Sequence, residues 1–352
     1  MQQTVVPGIA MWSVWQPERN FYFNSFFIET PDGNLVVDPL LIAESDADQI
    51  AARGGVAWIA ITNRDHERAA RPLAARFGAK LATSPQDAPL LAGPVDRILS
   101  DGELAWGATV VALTGLKTPG EFALHFASRS AVVVGDALWG DPAGSVRLMP
   151  DEKLADPPRA ALALRKLHAL RPQHLLLGDG TCIFGDAHRA LWACLEARSD
   201  VYVNRINVAD AEWKRWDDEP APYGGETFDA DHVIGAEKLG FRFTRVAPGE
   251  ATCPVHWHLA EEEMFFVIDG AVTLVGPRGE WELVRGDIVS FPTRANAAHK
   301  IVNRTSAPCT LLMVANTDDR DVCFYPNSHK LLVEKTGHLV RDRPSLDYYD
   351  GE

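Results

Sequence analysis

The helix signal in this chain stops near residue 200, and that break constrains the fold more than any single motif. From residue 1 to about 198, apolar β runs alternate with amphipathic helical stretches. FNSFFIETPDGNLVVD reads as a hairpin turning at PDGN, followed by a helix (SDADQIAARG), a strand (VAWIAIT), a helix (RAARPLAARFG) and a strand (AKLATS). Strand pairs follow near ELAWGATVVAL and EFALHFASRSAVVVGD, then helices PRAALALRKLHAL and DAHRALWACLEARS. Buried strands interleaved with such helices predict a layered α/β unit. From about Val203 the chain breaks into short strands set apart by Gly, Pro, Asn and Asp, which predicts a small antiparallel barrel or sandwich. The expected domains are therefore 1–198 and 203–352, joined near Arg198–Tyr202. The long irregular segment WKRWDDEPAPYGGETFDADHVIG is expected to wrap over the second domain as a lid or arm.

Charge narrows the partners. Lys+Arg is 34 against Asp+Glu at 48, a formal net charge of −14, and no Lys/Arg block interrupts it. A phosphate backbone or an anionic lipid surface would be repelled on average, so neither nucleic acid nor membrane is expected. No apolar run reaches the length of a membrane span, and MQQTVVPGIAMWSVWQPERN lacks the basic start and small-residue cleavage site of a signal peptide. Cys182, Cys194, Cys253, Cys309 and Cys323 are odd in number and widely spaced, with no CxxC. They read as buried thiols in a reducing cytoplasm rather than as a disulfide framework or a zinc site. No nucleotide cofactor is expected.

The second half carries a set of metal-ligand types. His256 and His258 are two apart, which on a strand places both imidazoles on one face. Glu263 opens the next strand, and His299 follows the Gly286-Asp287 turn and a β run ending at Pro292. Three imidazoles and one carboxylate suit a divalent transition ion: Fe, Mn, Zn, Ni or Cu. A single HxH also fits two solvent-facing strand histidines; four donors on consecutive strand segments disfavour that reading.

These residues resemble the cupin motifs. Gly249, His256, His258, Glu263 and Gly270 fill the first motif with one extra residue before His256; Gly286, Pro292, His299 and Asn303 fill the second. There Arg294 replaces the motif glycine and two extra residues precede His299, changes that fall in turns. The resemblance covers about 203–335 and implies that His256, His258, Glu263 and His299 ligate the metal. If Glu263 points inward, strand parity sends Phe265 and Val267 inward too; an inward His299 does the same for Ile301. The expected pocket is thus largely apolar. Arg242 and Arg245 cannot both face it, and an inward Arg242 would clamp a carboxylate, the alternative being a solvated strand charge. Trp257 is expected to pack outward against the irregular arm.

The first half resembles the metallo-β-lactamase fold with its imidazoles replaced. Thr62 ends a strand, and Asn63, Asp65, Glu67 and Arg68 stand where the family has His, His, Asp and His. Lys117 stands for the next His before Thr118-Pro119-Gly120; Asp136 keeps the bridging carboxylate, and Asp179-Gly180 stands for the last His-Gly. Arg68 and Lys117 put fixed positive charge where a cation would sit and can pair with Asp65, Asp136 or Asp179, which reads as a metal-free relative. A rival alignment, slid by two residues, lets Asp65, His66, Asp136 and Asp179 hold one metal. Either way Asn63, Asp65, His66, Arg68 and Lys117 form a polar pocket able to take an anion. His125, His168, His174 and His188 lack ligand spacing.

The expected fold class is α/β plus all-β: an N-terminal αββα metallo-β-lactamase-like sandwich followed by a C-terminal cupin double-stranded β-helix barrel. The expected function is a metal-dependent cupin acting on a small organic molecule, a carboxylate or phenol, as a dioxygenase-type oxidoreductase. The alternatives are a non-catalytic metal- or ligand-binding sensor, and a hydrolase using a residual single-metal site in the first domain. The cupin resemblance also implies a homodimer.

Overall fold

The computed structural model describes residues 1–216 and 219–342. The chain divides into two compact units, Met1–Val203 and Asn204–Glu352. No helix among the described residues is long and apolar enough to cross a membrane.

In the first unit, strands Leu35–Val37, Trp58–Ala60, Lys80–Thr83 and Arg97–Ile98 pair in parallel. Parallel neighbours need crossovers. Helices α1 (Glu44–Ala52) and α2 (Ala70–Phe77) lie in the first two connections. Phe21–Ile28 and Ile9–Gln16 extend this half antiparallel. The other half runs His174–Gly180, Ala131–Gly140, Phe122–Phe126, Ala108–Ala112 and Leu104–Ala105. Helix α3 (Pro157–Ala169) lies between its two parallel strands; it opens on Asp156, whose carboxylate accepts from the Arg159 amide at 3.1 Å, with Pro157 just inside. Helix α4 (Ala187–Glu196) follows. The two half-sheets meet at the pair Phe23 and Asp179, and the Asn24 amide also donates to the Leu177 and Gly180 carbonyls, at 2.8 and 2.7 Å.

Side-chain alternation shows how the layers stack. Leu35, Val37, Phe26, Phe122, Leu124, Val133 and Leu176 share one core, between the half-sheets. Their neighbours turn the other way. Val36, Phe27 and Ile59 meet Ile50 of α1 and Leu73 of α2. Val132, Val134 and Leu175 meet Leu164 of α3 and Leu191 of α4. Strands buried on both faces, with a helix layer outside each half, make the αββα sandwich.

The second unit is nearly all antiparallel strand. Its six-stranded sheet runs Lys214–Arg215, Glu226–Asp229, Leu239–Val246, Cys309–Asn316, Glu263–Asp269 and Ile288–Phe291. A three-stranded sheet (Gly279–Val284, Ala271–Gly276, Lys300–Val302) contributes Val272 and Ile301 to a core with Phe265, Val267, Phe291 and Leu311. A four-stranded sheet joins Trp257–His258 to Val322–Tyr325, Lys330–Val333 and His338–Arg341. Gly270 turns Glu263–Asp269 into Ala271–Gly276 at φ +80°, where a Cβ would lie 2.6 Å from the Pro308 carbonyl oxygen. Only glycine fits that corner.

Two expectations meet the structure here. The segment expected as a lid or arm is partly ordered: Lys214–Arg215 and Glu226–Asp229 extend the sheet edge and Ala230–Val233 is a helical turn, while Trp216, Pro220 and Tyr223 line a cavity of this unit. Edge pairing, a tertiary effect, overrides its irregular composition. Asp217 and Asp218 of that segment lie outside the described residues. Trp257, expected to pack outward, stacks on Phe324 with ring centroids 4.3 Å apart.

Candidate metal centre and a salt-bridged counterpart

In the second unit, backbone pairing assembles the histidines. His256 and His299 exchange both amide hydrogen bonds across strands, at 3.0 and 2.8 Å, which sets their rings 4.6 Å apart. His258 pairs with Cys323, and Glu263 opens its strand opposite Phe291. The four side chains converge. Glu263 Oε2 lies 3.2 Å from His299 Nε2, 3.6 Å from His258 Nε2 and 3.7 Å from His256 Nε2.

The opposite ring nitrogens fix the tautomers. His256 Nδ1 donates to the Pro254 carbonyl at 3.1 Å, and His299 Nδ1 to the Ala297 carbonyl at 3.2 Å. His258 Nδ1 faces Asp321 Oδ2 at 2.6 Å. Asp321 is fully buried, and its other oxygen accepts from the Ala260 and Glu261 amides. With each Nδ1 so engaged, three Nε2 atoms point at one carboxylate oxygen. Glu263 Oε2 and His299 Nε2 are buried with no hydrogen-bond partner among the described residues. Orphaned buried donor atoms facing one another are costly unless something joins them, and a divalent cation does. The donor set thus fits a mixed imidazole–carboxylate ion site.

The electrostatics agree. Burial opposes ionisation of Glu263, but the three histidines hold its carboxyl below the usual range. Burial and the nearby His256 push His299 down, towards the neutral ring a metal needs, against the pull of Glu263. Burial also disfavours a charged His258; Cys323, Glu263 and Asp321 outweigh it and raise its pKa to about 9, so an ion must displace a proton there.

Sequence reasoning missed Asp321 and the Ala297 carbonyl. The two extra residues before His299 fold into the 3-10 turn Ala295–Ala297, and that turn supplies the carbonyl. Asp321→Asn should weaken metal binding by about 10–100-fold, the usual scale for a histidine-orienting carboxylate; chelator competition would measure it, and an unchanged affinity would remove Asp321 from the site.

The other expected pocket residues separate. Phe265, Val267 and Ile301 are packed in the barrel core. Phe265 meets the His299 ring edge-on at 5.4 Å, and Phe291 stacks on it at 3.5 Å. Arg242 instead lines a cavity of about 520 Å³ with Trp216, Tyr223, Cys253 and Lys330. Cys253 Sγ lies 3.4 Å from His256 Nδ1. Arg245 points elsewhere, over the Trp213 ring. Asn303, fully buried, ties the Val246 and Ala307 carbonyls together.

In the first unit, the corresponding cluster is internally neutralised. His66 is buried between two carboxylates, with Asp38 Oδ2 at 2.8 Å from Nδ1 and Asp136 Oδ1 at 2.8 Å from Nε2. Arg68 reaches within 2.8 Å of His66 Nε2 and 3.3 Å of Asp179. Lys117 pairs with Asp65 at the rim. Asn63 is buried and caps the 3-10 turn Arg64–His66, while Glu67 faces Arg71. Asp136 sits where the parallel register slips between Val134 and Trp139. Beside it, a Cβ on Gly135 would come 2.3 Å from Thr62 Oγ1, so the close approach requires glycine.

Burial and Arg68 both disfavour a charged His66, yet Asp136 and Asp38 prevail and raise its pKa to about 10. Burial works against an ionised Asp136, but His66, Arg68 and Lys117 hold it well below the carboxylate range. Burial and Asp136 push Asp179 up to about 6. Burial, then Asp136, pushes the Glu121 carboxyl well above its usual range. His66, Asp136 and Asp179 do lie within ligand distance of one another. However, both His66 nitrogens already face carboxylates and a guanidinium stands among them, so this donor set does not fit an ion. His66, rather than Asn63 or Arg68, takes the centre, and Asp38 and Glu121 were not foreseen.

Comparison with known proteins bears on both units. The family model of the Metallo-beta-lactamase superfamily matches residues 1–197, more than half of the chain, and that of the Cupin domain matches 242–315. No curated protein matches. Among solved structures, a sugar phosphate isomerase from a cupin superfamily of Silicibacter pomeroyi is 25% identical, covering 42% of this chain and 98% of its own, at a TM-score of 0.37. A metallo-beta-lactamase from Pontibacter korlensis is 15% identical, covering 56% and 98%, at 0.46. A beta-lactamase domain protein from Burkholderia ambifaria is 19% identical, covering 60% and 79%, at 0.44. Through its first 197 residues the chain belongs to the metallo-beta-lactamase superfamily, and it carries a cupin domain in its second half.

Proposed function

We propose that the cupin domain is a metal-dependent oxidoreductase of dioxygenase type acting on a small carboxylate or phenol, with one divalent transition ion held by His256, His258, Glu263 and His299. The observation that carries this reading is the convergence of three Nε2 atoms on the unpartnered Glu263 oxygen. A Fe, Mn, Ni, Cu or Zn ion held by these four residues would supply Lewis-acid chemistry, and a redox-active one electron transfer to O₂. Phe291 and Phe265 flank His299 and keep water from that side of the donors. Arg242 and Lys330 line the 520 Å³ cavity and would meet an anionic substrate end, with Trp216 and Pro220 against its body.

The test is O₂ consumption by the protein loaded in turn with each ion, against a panel of small acids and phenols. Turnover with a redox-active ion that is lost in His256→Ala is the expected result. Saturable ligand binding without any turnover would make the domain a sensor. Product formation without O₂ uptake that survives His256→Ala and is lost in Asp136→Ala would move the chemistry to the first unit as a hydrolase.

A further inference from the structure

The cluster in the first unit opens into a cavity of about 140 Å³. At about 30 Å³ per water it has room for roughly four to five waters, the bulk of a phosphate or a short carboxylic acid. Its wall is unusually cationic for a chain with a net charge of −14. Three pairs there cancel: Lys117 with Asp65, Arg68 with Asp179, and His66 with Asp136. Two lining cations remain, Arg19 and Lys153, neither with a carboxylate partner among the described residues. Both rest over the Trp139 ring, at 5.6 and 5.5 Å from its centroid, which positions them without neutralising them. With Asp38 behind His66, four Arg and Lys cations and the His66 imidazole stand against four carboxylates.

Arg68 adds a second, independent observation. Its Nη1 is buried and has no hydrogen-bond partner among the described residues. Its guanidinium lies over the Phe23 ring at 4.7 Å, and its backbone is held at φ +34°, in the left-handed region that a long side chain rarely adopts. A guanidinium with an unused buried N–H shares the lining of one small cavity with two cations, and those are the groups that bind an oxyanion.

We propose that this cavity binds a small oxyanion, a phosphate or a carboxylate, through Arg68, Arg19 and Lys153. The guanidinium that stands among the carboxylates thereby turns a cation pocket into an anion pocket. The proposal does not depend on the cupin chemistry.

The test is isothermal titration of the full-length protein, in chelator-treated buffer, with inorganic phosphate and separately with malonate, at ionic strength held constant with chloride. Saturable binding of at least one probe at one site per chain is expected; which probe binds distinguishes phosphate from carboxylate ligands. Arg19→Gln with Lys153→Gln, two changes at exposed positions, should weaken it about tenfold or more, the scale of a lost charge-assisted hydrogen bond. Arg278→Gln, at an exposed position in the other unit, should leave it unchanged. No saturable binding of either probe, binding untouched by the double variant, or binding lost in Arg278→Gln would overturn the proposal.

Discussion

Replacing Glu263 by Ala should abolish stoichiometric metal binding by the full-length protein. A metal held by protein ligands alone is stabilised by roughly 10–16 kcal/mol, so one ligand of four accounts for about 3 kcal/mol, or more than a hundredfold in affinity. Glu263 should exceed that share, because it is the one anionic donor and all three imidazoles converge on it. Elemental analysis after gel filtration should show about one ion per chain in the parent and a trace in the variant. Glu263→Gln keeps the shape but not the charge and should fall almost as far. The barrel itself should survive, because Phe265, Val267, Ile301 and Leu311 form its core independently of the ligands. A Glu263→Ala protein that retains the ion would show that the convergence of these four side chains has another purpose.

How far the sequence discloses this site follows from where each contribution comes from. His256, His258 and Glu263 sit within eight residues on adjoining strand segments, so local periodicity reveals them. Asp321 is 63 positions from the histidine it orients, in a loop beside a strand that pairs only in the folded state. The Pro254 and Ala297 carbonyls are backbone and leave no residue signature at all. The first unit repeats the lesson. The alternation of strands and helices was enough to read its layers. The exchange of imidazoles for Arg68 and Lys117 pointed to ion pairs, which the structure shows as Arg68–Asp179 and Lys117–Asp65. The central position of His66 depends on the 3-10 turn Arg64–His66, which swings a ring inward that strand parity alone cannot place. Asp38 ends the run LVVD as any strand-terminal turn residue might, and only the packing brings it against His66.

The first unit should be destabilised on the order of 3–5 kcal/mol by His66→Ala, the cost of breaking a buried charge cluster from one side. The imidazolium holds Asp38 and Asp136 together; without it both carboxylates remain buried, with only the Thr62 amide and hydroxyl left to Asp38. The same bond predicts a pH signature. The folded-state pKa of His66, about 10, lies above its unfolded value of 6.5, so its contribution is complete below 6.5 and is lost as the pH climbs through 10. Asp136, depressed in the folded state, contributes above 3.8 and loses that contribution as acid protonates it. Asp179 acts in the opposite sense: raised to about 6, it is burdened by ionisation above that pH. The parent should therefore lose stability between about pH 6.5 and 10, and His66→Ala should be flat there, apart from effects of other groups. Hydrogen exchange at the Thr62 and Ala137 amides reports on this unit alone, which matters because a two-unit chain need not unfold in one step. Equal protection of those amides in parent and variant across that range would mean that His66 is neutral in the fold and that Arg68 alone balances the cluster.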